Sequence, residues 1–242
     1  MTPPQSSKLR ILCLHGWMQN TEVMTRNMGA LINRFKDSIE FVIPNGTFEL
    51  PTSMKPGRPT NTPLAAWMIP KISGDGDLVE LEGFTETVEA LVQLLGDQGP
   101  FDGILGFSQG AGLAVILMSI LSHDPWRQRY HVPEHVQSFR LGVILSGFML
   151  YTPAYTEFYQ QGKITAPTLH VYSRQDDIIS IDRSLQLIDN MFTDAVHASH
   201  DLGTPGGLMF GVWPLWRLND VIVAKYCPLR PPVVIPQLLT IP

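Results

Sequence analysis

The sequence predicts an α/β protein with a mostly parallel central sheet and helices on both faces. Short, nearly all-apolar runs recur along the chain, KLRILCL, IEFVIP, GILGF, FRLGVILSG and PTLHVYS, and segments of helical period lie between them. Strands apolar at almost every position fit a sheet buried on both faces, which is the situation of parallel strands covered by helices. The most informative stretch is residues 101–120, FDGILGFSQGAGLAVILMSI. A short apolar run there stops at Ser108, which is flanked by Gly106 and Gly110 in the pattern G-x-S-x-G, and an apolar helix-like segment follows at once. Strand, sharp turn and helix in that order lift a serine hydroxyl to the carboxyl edge of a sheet beside a helix N-terminus. The two glycines are needed because a side chain at either position would collide with the neighbouring helix or strand.

The remaining elements follow in order. Residues 8–14 read as a strand ending at His15-Gly16-Trp17. Asn20 or Thr21 can cap a helix whose apolar positions Val23, Met24, Met28, Leu31, Ile32 and Phe35 recur at three and four. Residues 39–44 form a second strand stopped by Pro44, and residues 45–77 read as an irregular stretch rich in Pro, Gly and Thr, of a length expected of a lid or binding loop. An amphipathic helix over 81–96 buries Phe84, Val88, Leu91, Leu94 and Leu95. After the serine strand and helix, a polar connection (122–137) leads to a strand at 139–147. An aromatic-rich segment (151–161), a strand (167–173), a helix (181–192) and a short last strand (194–197) complete the pattern. The whole chain, 1–242, reads as one domain with a recognisable core at about 8–202 and an atypical Pro-rich stretch at 203–242.

Composition narrows the partners. Hydrophobic residues make up 44% and charged residues 16%, as in a globular protein. A formal net charge of −5 and a pI near 5.8 argue against nucleic acid or an anionic membrane as principal partner, since both demand clustered Lys and Arg. No apolar run is long enough to span a bilayer and the N-terminal residues have no secretory h-region, so the expected compartment is the cytoplasm. Cys13, inside a core strand, and Cys227 suit free thiols better than a disulfide framework.

A nucleophilic serine requires a base to take its proton and a carboxylate to orient that base. The chain order Ser, acid, His places the acid after the strand at 167–173, where SRQDDIIS offers Asp176, with Asp177 in reserve. The base belongs behind the last strand, where VHASHDLG offers His197 and His200. His200 is preferred because it begins a loop that can fold over Ser108. The oxyanion hole draws on the backbone N–H of Trp17, after the first strand, and of Gln109, after the nucleophile. His15 is then a residue that shapes the loop. Trp67 and Met68, with Phe148 and Tyr151, are candidates for the wall of an apolar acyl pocket. No metal site and no cofactor is expected, because no closely spaced Cys pair is present.

LCLHGWMQN, FVIPNG, the Ala66-Trp67 pair, GILGFSQGAGLA and SRQDDIIS together resemble the small serine hydrolases of the FSH type, the group that includes the ovarian-cancer-associated serine hydrolase. The resemblance covers about residues 8–200. It implies an α/β-hydrolase fold, a triad carried onto Ser108, Asp176 and His200, and esterase or thioesterase activity on acyl substrates. The chain departs from the family pattern in three places. HxGGH around the catalytic histidine becomes His197-Ala-Ser-His200, the stretch after Gly203 lacks the expected final amphipathic helix, and Asn45 stands where an acidic residue is usual.

The expectation is therefore a cofactor-independent serine hydrolase that cleaves small-molecule carboxylic esters or thioesters through an acyl-enzyme. A hydrolase-fold binding protein with impaired catalysis and an acyltransferase using the same triad are the alternatives.

Overall fold

A computed structural model describes residues 8–51, 60–75, 78–150 and 153–201. All of them fall within the first of two compact units, Met1–Val212, and the second, Trp213–Pro242, lies outside the described residues, as does Cys227.

The chain opens with β1 (Leu9–Leu14), buried from Ile11 onward. Asn20 then caps α1 (Thr21–Asn27) by accepting a hydrogen bond from Val23 N at 2.8 Å. The single helix read from the sequence is two, because a break at Met28 separates α1 from α2 (Gly29–Phe35). Glycine, a poor helix former, stands at the start of the second. β2 (Ile39–Val42) follows, then two short antiparallel pairs: β3 (Phe48–Glu49) with β4 (Ala65–Ala66), and β5 (Ile69–Ile72) with β6 (Leu78–Glu82). The described part of the stretch expected to be irregular is thus partly built from ladders. Strands this short are set by pairing across long sequence separations, which local pattern does not carry.

α3 (Phe84–Gln98) buries Phe84, Thr87, Val88, Leu91, Val92 and Leu95 along one face. β7 (Gly103–Phe107) is buried at every position, and α4 (Gln109–Ser122) is buried from Gln109 through Leu121. A helix apolar all round belongs inside, and α4 packs against β7, β1 and β8 (Leu141–Leu145). The polar connection before β8 contains a helix that the sequence reading missed, α5 (Asp124–Arg129), anchored by buried Trp126. A 3-10 helix, Pro153–Tyr159, then leads to β9 (Thr168–Ser173), α6 (Ile181–Met191) and β10 (Ala195–His200).

Six strands form one parallel sheet in the order β10-β9-β8-β7-β1-β2. Every carboxyl end therefore lies on one edge, where ligands of open α/β sheets bind. Ser108, Ser146, Asp176 and His200 all sit at or just beyond that edge.

β10 is longer than the four residues expected. It runs on through His200, which pairs with Ser173 in register, so His200 ends a strand and does not begin a loop. None of its six residues is buried, so no apolar run announces its length. No described helix is long and apolar enough to cross a membrane.

Candidate active site

Ser108 holds φ 51° and ψ −114°, a conformation costly for a non-glycine residue, between the end of β7 and the first turn of α4. The turn closes only because its flanks are glycines. A Cβ on Gly106 would lie 2.4 Å from Gly110 O, and one on Gly110 would lie 2.2 Å from Leu14 O and 2.5 Å from His15 O. The second approach draws the end of β1 against α4, so the loop carrying Trp17 sits beside the start of the helix. There, the first N–H groups have no intrahelical acceptor.

Ser108 is bound into a chain of backbone hydrogen bonds that crosses the sheet edge. Its N–H donates to Leu145 O at 2.9 Å, Ser146 N donates to Val171 O at 2.8 Å, and Arg174 N donates to His200 O at 2.7 Å. These bonds tie the ends of β7, β8, β9 and β10 together in sequence. The serine and the histidine are three strands apart, and Asp176 stands after the strand between β8 and β10.

Asp176 is 9% exposed and its carboxylate is fully engaged. Oδ1 accepts from Ile178 N at 2.9 Å and Ile179 N at 2.8 Å, and Oδ2 accepts from Ser146 Oγ at 3.2 Å. Asp177 is exposed. His200 is half-buried. Burial pushes its pKa below the usual imidazole value, Asp201 and Asp176 pull it back up, and Arg174 pushes it down. Asp176 and His200 are thus brought within electrostatic reach of each other.

His197 has other neighbours. Three positions from His200 on the same strand, it projects from the opposite face, where Nδ1 meets the Tyr172 hydroxyl at 2.8 Å and the rings stack 5.9 Å apart.

The floor of the site is a hydrogen-bonded plug. Gln109 Oε1 accepts from Trp67 N at 2.9 Å, and Gln109 Nε2 donates to Met68 O at 2.8 Å. The Trp67 ring N–H donates to His15 O at 2.8 Å, and Thr87 Oγ1 donates to Trp67 O. His15 lies beneath, fully buried, its ring 4.9 Å from that of Trp67. Its Nε2 accepts from Gly46 N at 2.8 Å, so the other nitrogen, 2.8 Å from Gly16 O, carries the proton. Burial drives the His15 pKa down to about 4, as fits a neutral structural imidazole.

A sequence match decides the chain's place among known proteins. A family model described as "Serine hydrolase (FSH1)" matches residues 1–203. The chain belongs to the FSH1 serine hydrolase family. Esterase OVCA2 of Bos taurus is 32% identical over 209 residues, covering 81% of this chain and 88% of that protein. A protein named dihydrofolate reductase from Schizosaccharomyces pombe is 31% identical over 196 residues, covering 76% of this chain, which spans only 41% of that protein's length. Among solved structures, acyl-protein thioesterase 2 of Zea mays superposes with a TM-score of 0.53 at 19% identity, covering 91% of this chain and 96% of that one. The fold is an α/β-hydrolase fold.

In this FSH1 family member the residues expected to wall a pocket have different surroundings. Trp67 and Met68, 1% and 0% exposed, are enclosed in the core, with their backbones bonded to Gln109. Phe148, half-buried beyond the end of β8 with the Arg183 guanidinium 4.7 Å from its ring, has surface to offer a ligand. Tyr151 lies outside the described residues. Asn45 fills the family's usual acidic position by accepting from both Thr21 N and Thr21 Oγ1 at 2.7 Å, work that needs only an oxygen. Among the described residues, no group of three or more His, Cys, Asp and Glu is placed to hold a metal ion.

Sequence reasoning missed Ser146 and the side-chain role of Gln109. Each had a faint signal: a serine closing an apolar strand run in ILSGF, and a glutamine opening an otherwise apolar helix.

Proposed function

We propose that this chain hydrolyses small-molecule carboxylic esters or thioesters through an acyl-enzyme on Ser108, with His200 as base and Asp176 as its orienting carboxylate. The observation that carries the reading is a serine strained into a turn at φ 51° on the same sheet edge as the His200 imidazole and the buried, three-donor carboxylate of Asp176. Ser108 Oγ attacks the acyl carbonyl while His200 takes its proton. The oxyanion that forms is received by the N–H groups of Trp17 and Gln109, where one such donor is worth roughly 3–4 kcal/mol of barrier. His200 then returns the proton to the leaving alcohol or thiol, and water repeats the sequence on the acyl-enzyme. Neutral imidazole is the working form, and the burial that lowers the His200 pKa favours it. Phe148 borders the acyl group.

The test is hydrolysis of p-nitrophenyl acyl esters together with labelling by a fluorophosphonate. Both are expected in the wild-type chain and neither in Ser108→Ala. Wild-type protein that folds but neither turns over nor labels would make this a hydrolase-fold binding protein, and turnover that survives Ser108→Ala would remove the nucleophile. Product analysis with added alcohol separates hydrolysis from acyl transfer.

A further inference from the structure

β10 has a structural problem. Among the described residues it is the edge strand of the sheet, none of its residues is buried, and His200 is its last residue. Hydrophobic burial, which fixes the six buried residues of β9, does not hold this end. A one-residue slip would turn His200 to the face now occupied by His197.

One side chain answers this. Arg174 follows β9 immediately and precedes Asp176 by two residues. Its backbone N–H donates to His200 O at 2.7 Å, its Nε donates to Asp201 Oδ1 at 2.6 Å, its Nη2 donates to Asp201 Oδ2, and its Nη1 donates to Ser199 Oγ at 3.1 Å. Three consecutive residues, 199 to 201, are therefore gripped by the residue that leads into the acid loop. The two-pronged guanidinium-carboxylate geometry is directional, which a lysine cannot reproduce.

We infer that Arg174 and Asp201 are positioning residues, a clasp that holds His200 at the end of β10 in the register that faces Asp176. The inference rests on the reading of His200 as the base. Both side chains are more than half exposed, at 51% and 60%, so the pair adds little to global stability. Its effect is local. Loss of the clasp loosens the base without unfolding the chain.

The clasp also places two opposite charges beside the imidazole. The charged groups acting on His200 are Asp201 on its own strand end, Asp176 from the loop after β9, and Arg174. Arg174→Gln removes the charge that opposes imidazolium, so the acid limb of kcat/KM should move to higher pH. Asp201→Asn removes one that favours it and should move the limb to lower pH. Each shift should be of order half a pH unit and should shrink at high salt. The double variant should bring the limb back near the wild-type position while kcat stays reduced by about three- to tenfold, because the grip is still missing. Arg174→Lys keeps the charge and loses the fork, and should lower kcat with the limb in place.

The experiment is the pH profile of p-nitrophenyl ester hydrolysis for these four variants, with melting temperatures recorded alongside and His200→Ala as reference. Opposite displacements of the limb, with little change in melting temperature, support the clasp. Limbs that stay put, or move in the same direction, overturn it while His200→Ala remains inactive. If His200→Ala retains full turnover, the assignment of the base fails instead, and the two failures are distinguishable. Should Arg174→Gln not fold, Asp201→Asn and Arg174→Lys decide the matter.

Discussion

Ser146, at φ 48° just beyond the end of β8, donates its hydroxyl to Oδ2 of Asp176 at 3.2 Å. With Oδ1 bound by Ile178 N and Ile179 N, the carboxylate is oriented by three donors from two different segments before any imidazole engages it. Such preorganisation is where a charge-assisted hydrogen bond contributes most. Ser146→Ala should lower kcat by about tenfold with KM little changed, and destabilise the fold by about 1–3 kcal/mol, since a buried charged acceptor loses a donor. Steady-state kinetics beside urea unfolding measures both. An unchanged kcat would reduce Ser146 to a packing residue.

Burial separates the two candidate acids. Asp176 is 9% exposed and fully hydrogen-bonded, whereas Asp177 is exposed on the loop. Asp176→Asn should cost orders of magnitude in kcat, because an amide cannot stabilise the imidazolium that forms, and Asp177→Asn should leave kcat within about twofold. The reverse pattern would hand the role to Asp177.

Gln109 serves the turn with both ends of its amide. Gln109→Ala would leave Trp67 N and Met68 O buried without partners, at about 1–3 kcal/mol apiece. The expected outcome is a lower melting temperature and a weakened oxyanion site together, read by thermal unfolding and by kcat on one ester. Retention of both would show that the plug does not support the turn.

Two buried histidines make stability depend on pH. Burial lowers His15 to about 4, and burial with the nearby His197 lowers His170 to about 3. In the unfolded chain both titrate near 6.5, so as pH falls below that value the unfolded state takes up protons that the folded state refuses. The stability these neutral imidazoles contribute is complete above about pH 6.5 and is lost toward pH 4 and below, by a few kcal/mol. Urea midpoints at pH 7, 5.5 and 4.5 should fall in that order, and His170→Gln should show a shallower fall. A profile as steep in the variant would assign the loss to other groups.

How much of this was legible depended on where the physics was local. Ser108, its two glycines and the strands at 103–107 and 168–173 announce themselves because steric need and complete burial leave few alternatives in sequence. β10 shows in sequence only as a short strand at 194–197, since a strand that buries no residue carries little apolar signature, and its extent through His200 is set by pairing with β9. α5 hid for a similar reason, six mostly polar residues around one buried tryptophan. Trp67 and Met68 looked like ligand wall because aromatic and thioether side chains serve pockets and cores alike. Hydrogen bonds to Gln109 and His15, invisible in sequence, put them in the core.

The base is the assignment on which the extended strand bears most. A strand alternates faces, so His197 and His200 point to opposite sides however polar the surrounding sequence is. His197 is engaged by Tyr172, while His200 shares its environment with Asp176. His200→Ala should therefore lower kcat by about a thousandfold or more, and His197→Ala should stay within about twofold of wild type. The pH profile adds a second criterion. Burial is the largest influence on His200 and lowers its pKa, so the acid limb of kcat/KM should have its midpoint below 6.5, with activity lost as pH falls and the imidazole protonates. A midpoint above 6.5 would mean that the two aspartates outweigh burial. A limb that persists in His200→Ala would mean that another group takes the proton from Ser108.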